Sequence, residues 1–124
     1  MAAPNIVNVT TIIGKTAVAN LTTTSATEVV SNAAASGKVF KINTLMVSNI
    51  DGTVPANVTV NLYSAASIGG NATAFASTIS VPQDATLVVI SKDNFVYLEE
   101  DRSIGAIAST ANDLQVVCSY EEIN

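Results

Sequence analysis

The sequence predicts an all-β fold: an antiparallel β-sandwich, jelly-roll-like, in a single domain. Three observations carry that expectation. Apolar residues recur with a period of two, turn residues interrupt the apolar runs at strand spacing, and no helix of useful length is signalled.

Residues 1–24 stand apart at the start of the chain. Val7-Asn8-Val9-Thr10-Thr11-Ile12-Ile13-Gly14-Lys15 has an extended pattern, and Thr22-Thr23-Thr24-Ser25 forms a polar link. Two readings fit: an edge strand of the same domain, or an arm that pairs with a neighbouring subunit by strand addition. Residues 25–124 then make the sandwich domain. Ser31–Ser36 is Ala-rich, with room for one helical turn before Gly37.

Val39-Phe40-Lys41-Ile42-Asn43 points Phe40 and Ile42 inward. Leu45 and Val47 come next on the other phase, which predicts a β-bulge near Asn43–Leu45. Asp51-Gly52 and Pro55 close the following loop. Ala56–Leu62 alternates cleanly, with Val58, Val60 and Leu62 on the dry face. Ile68-Gly69-Gly70-Asn71 reads as the turn before a strand over 74–81, and Pro82-Gln83-Asp84 as the turn before 86–91. Lys92-Asp93-Asn94 leads to 95–98, Glu99-Glu100-Asp101 to 103–108, and Thr110–Asp113 to the last strand, where Leu114, Val116, Cys118 and Tyr120 face inward. The expected core is Phe40, Ile42, Val58, Val60, Leu62, Val88, Ile90, Leu114, Val116 and Cys118. Leu87-Val88-Val89-Ile90 is apolar on both faces, as in a central strand covered by loops or a strand held against another subunit. Val7, Val9, Ile12, Ile13, Leu87 and Val89 are the candidate interface residues.

Composition bounds the function. Of 124 residues, 48% are hydrophobic and only 12% charged, against about 25% charged in typical soluble domains. Thr, Asn, Ser and Ala replace charge, which suits a surface covered by partners. The net charge is −5, and Lys15, Lys38, Lys41, Lys92 and Arg102 are dispersed. Nucleic-acid binding needs clustered cations, so none is expected. No apolar run reaches the ~20 residues of a membrane helix. The N-terminus has no signal-peptide pattern, so the sequons at Asn8, Asn20, Asn57 and Asn71 read as chance.

The chain has no histidine and no tryptophan. The commonest general base and most zinc sites are thereby removed. Cys118 is the single cysteine, so no intrachain disulfide exists, and its inward position reads as core. Glu99-Glu100-Asp101 and Glu121-Glu122 lack calcium-loop spacing and read as solvated charge. The residues nominate no catalytic, cofactor or metal site, and the chain is not expected to be an enzyme.

Several stretches together resemble short virion proteins of tailed bacteriophages, especially those of marine cyanobacteria. They are Ser25–Asn32, Ser36–Asn43, Val47–Gly52, Val58–Tyr63, Ile79–Ile90 and Val96–Ile104, so that the resemblance spans about residues 25–123. Where the group favours a Glu-Glu-Gly-Asp-Ser type of turn, this chain has Glu99-Glu100-Asp101-Arg102-Ser103. The resemblance implies a non-enzymatic particle component. The acidic charge suits a surface turned away from packaged DNA. The leading expectation is therefore a capsid decoration (cement) protein on the outer capsid surface, made in the host bacterial cytoplasm. It would bridge major capsid protein subunits as a homo-oligomer, a trimer foremost. The alternatives are a tail, neck or baseplate protein, or a carbohydrate-binding adhesin module.

Overall fold

The computed structural model describes residues 4–124; residues 1–3 of the N-terminal segment lie outside the described residues. Among the described residues nine strands run in order: β1 Ile12–Asn20, β2 Thr27–Asn32, β3 Val39–Asn49, β4 Ala56–Ala65, β5 Gly69–Val81, β6 Thr86–Ile90, β7 Val96–Leu98, β8 Arg102–Ala108 and β9 Leu114–Ile123. Among the described residues the one helical element is a 3₁₀ turn, Lys92–Asn94.

The strands form two antiparallel sheets. Sheet A has the order β1-β9-β3-β6, with β7 also on β3; sheet B has the order β2-β8-β4-β5. Early strands pair with late ones, β1 with β9 and β2 with β8, in nested fashion. That nesting over two packed sheets is the jelly-roll arrangement.

The core lies between the sheets. Sheet A contributes Phe40, Ile42, Leu45, Val47, Ile90, Leu98, Leu114, Val116 and Cys118, and sheet B contributes Val30, Val58, Val60, Val81, Ile104, Ala106 and Ala108. Alternation along each strand puts these side chains on one face. The bulge read from the phase change in β3 is present: Ile42 opposes Tyr120 and Thr44 opposes Ser119, leaving Asn43 as the extra residue. Leu45 and Val47 thus recover the inward direction.

Three expectations are corrected. Val88 faces outward and is 54% exposed, while Leu87 and Val89 pack part-buried against the core beside the buried Ile90. The reason is a register shift, in which Leu45 opposes Ile90 but Met46 opposes Val88. Val89 is the extra residue, and the alternation reverses there. Leu62 is only part-buried, because it lies where β4 borders an open groove. The turn assigned to Gly69-Gly70 sits earlier, at Ala66–Ile68. Ser67 (φ 57°), Ile68 (φ 52°) and Gly70 (φ 73°) take left-handed conformations, and the glycines open β5.

Buried asparagines fasten two ends of the sandwich. Asn32 Nδ2 donates to the carbonyls of Lys38 (2.9 Å) and Leu98 (3.0 Å), joining β2 to the start of β3 and the end of β7. Asn49 Nδ2 donates to Val54 O and Val81 O at 3.0 Å each, and its Oδ1 accepts from Asp51 N at 2.9 Å. Each amide satisfies carbonyls that a strand end would otherwise leave open.

Candidate assembly surface

The outer face of sheet A is where apolar side chains meet solvent in register. Val18 on β1 opposes Val117 on β9, Val117 opposes Met46 on β3, and Met46 opposes Val88 on β6. The four make one apolar row across the sheet, with Val18 72% and Val88 54% exposed at its ends. Uncharged rows flank it: Thr16, Ser119 and Thr44 on one side, Asn20, Gln115, Ser48 and Thr86 on the other. The Ser48 and Thr86 hydroxyls lie 3.1 Å apart. Directly opposed side chains on one sheet face are natural contact units. A solvated face with no charge in three adjacent rows suits a second surface laid against it.

Farther along the same face, Gly14, Glu121, Lys41 and Tyr97 form the next register row but one. Lys41 Nζ sits 4.5 Å from the centroid of the Phe95 ring, and Phe95 meets Tyr97 edge-on at 5.4 Å. Phe95 and Tyr97 are exposed at 41% and 40%. Ammonium over ring and ring edge over ring face are both favourable arrangements, so the three side chains brace one another.

Of the sequence-nominated interface residues, Val7 (90%), Ile12 (56%) and Ile13 (48%) are exposed, and Val9 is part-buried. Leu87 and Val89 turn towards the core, and Val88 takes the outward place between them. The strand Ile12–Asn20 lies against β9 of its own chain at the margin of sheet A. Val18, Met46 and Val117 were not nominated. Their signal is visible only once the registers of four strands are known.

The sheet edges differ in kind. β5 carries three register shifts against β4, and Thr78 within it has φ 51°. β2 shifts at Val29, and β6 is five residues long with a shift of its own. Bulges and short length are devices that blunt an edge. β1 has neither, since its nine residues pair with β9 without a break.

Glu122, read from the sequence as solvated charge, is instead buried and anchors the inner side of that edge. It is 7% exposed and bonds Lys15 Nζ at 2.9 Å and Lys38 Nζ at 2.7 Å. The hydrogen bond from Lys38, then that from Lys15, holds its carboxyl below the ordinary value. Lys15 is correspondingly raised, mainly by its hydrogen bond to Glu122.

The ionisable side chains of the described residues are dispersed with respect to metal ligation. No cluster of three or more Cys, Asp or Glu is placed to hold a metal there. Cys118 is fully buried, and desolvation pushes its thiol up to about 12. The side chain packs as part of the core, and burial disfavours the reactive thiolate. In the acidic turn, Asp101 Oδ1 accepts from Ala66 N at 3.0 Å, so it braces a neighbouring loop. Asp101 has φ 56°, a conformation Asp tolerates better than most residues. An open groove of ≈ 210 Å³ lies between Leu62, Tyr63, Ser64, Asn71, Thr73 and Arg102. Arg102 Nη1 is engaged there by Ser64 O and Asp101 O, both at 3.0 Å.

No protein-family model and no curated protein matches the chain. Among solved structures it is similar to a chain from Bacillus endospore appendages, described as a novel family of disulfide-linked pili. The TM-score is 0.54 at 16% identity, covering 92% of this chain and 88% of that one. At that identity the likeness is one of fold.

Proposed function

We propose that this chain is a non-enzymatic structural subunit that works by non-covalent assembly. The observation that carries the proposal is the uncharged stretch of the outer face of sheet A, three register rows wide, whose middle row Val18–Val117–Met46–Val88 crosses from β1 to β6. The setting we favour is a phage particle, with the chain as a capsid decoration protein bridging major capsid subunits. The sequence resemblance and the acidic balance of charge support that setting. Many weak copies of one contact, multiplied by the symmetry of a shell, give avidity without any strong single site.

A second reading is a subunit of an extracellular filament, favoured by the fold shared with the endospore appendage chain. That protein's pili are described as disulfide-linked. Here the single cysteine is buried at the middle of β9, so a filament of this chain would hold together without disulfides through its own thiol.

The test is co-sedimentation of the labelled chain with phage particles lacking it. Saturable binding, lost when Val18 and Val88 are both replaced by Lys, supports the proposal. Binding indifferent to that double substitution removes the outer face of sheet A from the argument.

A further inference from the structure

We infer that the free edge of β1 is a two-fold docking site for β1 of a second copy, centred on Thr16. This deepens the assembly reading and rests on it.

The hydrogen-bond pattern identifies which groups are free. Thr11 N donates to Asn124 O at 3.2 Å, and Asn124 N donates to Thr11 O at 2.9 Å, while Leu21 N donates to Leu114 O at 3.0 Å. Bonded pairs alternate in an antiparallel ladder, and the β1–β9 register is unbroken between these points. Ile13, Lys15, Ala17 and Ala19 therefore bond to β9. The backbone N–H and C=O of Ile12, Gly14, Thr16 and Val18 point away from the sheet, together with the N–H of Asn20, whose carbonyl accepts from Thr22 N at 3.0 Å. A flat row of outward donors and acceptors is satisfied by another strand.

The side chains are compatible with a second copy of the strand in this register. With Thr16 opposite its own copy, Gly14 opposes Val18 and Ile12 opposes Asn20 on the outer face, while Lys15 opposes Ala17 and Ile13 opposes Ala19 on the inner face. Every bonded pair then joins two residues whose backbone groups point outward. No lysine directly opposes a lysine, and each Lys15 is ion-paired with Glu122 of its own chain, a carboxylate it shares with Lys38. The register centred on Lys15 would place like charges directly opposite each other, which is unfavourable.

Gly14 supplies the independent observation. A Cβ built there would meet nothing within 4 Å, and Gly14 is absent from the glycines with positive φ. Neither turn geometry nor crowding within the chain asks for glycine in the middle of this strand, where its extra backbone freedom makes it less stable than Ala. Glycine within a strand often marks close approach of another backbone. In the Thr16-centred pair, the open space over Gly14 faces the 72%-exposed Val18 of the copy. The same residue pair recurs on both sides of the axis, as an isologous contact requires.

The test uses the intact chain. Thr16→Pro removes one outward N–H at the axis and no bond to β9, a position at which an edge strand accepts proline. Sedimentation velocity is expected to show a concentration-dependent dimer for the parent and a monomer for Thr16→Pro with an unchanged circular dichroism spectrum. Should Thr16→Pro fail to fold, Val18→Lys, at an exposed site, is expected to weaken the dimer by about tenfold or more. Mild oxidation of Thr16→Cys should trap a covalent dimer across the axis. An oligomer unaffected by all three changes overturns the β1 edge while leaving the assembly reading standing. A parent chain that is monomeric alone yet binds particles overturns self-pairing only.

Discussion

The same substitution at two valines separates burial from every other variable. Val60 is fully buried and opposes Ala106 on β8 and Ala76 on β5, whereas Val88 is 54% exposed on the outer face of sheet A. Val60→Ala removes two methyl groups from the core. Their transfer is worth about 1.6 kcal/mol at ~0.8 kcal/mol per methylene-sized group. The flanking alanines have no longer side chain to swing into the space, so most of the cavity remains. A void of ~40 Å³ at ~24 cal/mol per Å³ adds about 1 kcal/mol. The expected loss is therefore roughly 2–3 kcal/mol, or a fall in Tm on the order of 10 °C for a domain of this size. Val88→Ala should change stability by less than about 0.5 kcal/mol, as surface substitutions do. Urea unfolding of the three proteins, with m-values compared, is the assay. A loss at Val88 equal to that at Val60 would refute the reversed phase of β6. A loss at Val60 below about 1 kcal/mol would refute the packing argument.

Two further outcomes follow from the ionisable groups. Cys118, buried with its thiol pushed up to about 12, should resist a thiol reagent in the native protein and react at once in denaturant; fast native labelling would contradict its inward place. Glu122 has a depressed pKa, so its share of stability is present above the ordinary value of 4.5 and is lost as pH falls through the lower folded value. Glu122→Gln should therefore lower stability at neutral pH and flatten the acid limb of the stability–pH curve, and an unaltered acid limb would show that the carboxylate contributes nothing.

What could be read from the residues, and what could not, divides along a physical line. Alternation is a local property, so β4 and β9 were legible, and the slip from Ile42 to Leu45 disclosed the bulge at Asn43. A bulge inside an all-apolar run leaves no such trace. Leu87-Val88-Val89-Ile90 reads the same in either phase, and only pairing with β3 shows that Val88 faces out. In β2 the shift at Val29 puts two adjacent valines inward, which hides a strand from a period-two reading. Leu21, 1% exposed, sits beside a polar link and is drawn into the core by its backbone bond to Leu114. The candidate assembly surface was less legible still. Val18, Val117, Met46 and Val88 come from four distant segments, and the purpose of a glycine at position 14 depends on knowing which side of its strand is open.

The central claim, that this chain is a repeated structural subunit held by non-covalent contacts, is tested most directly by its stoichiometry in purified phage particles. Quantitative mass spectrometry under reducing conditions should find it in fixed proportion to the major capsid protein, retained on the particle without any disulfide. Its absence from the particles, or its release on reduction alone, would contradict the account.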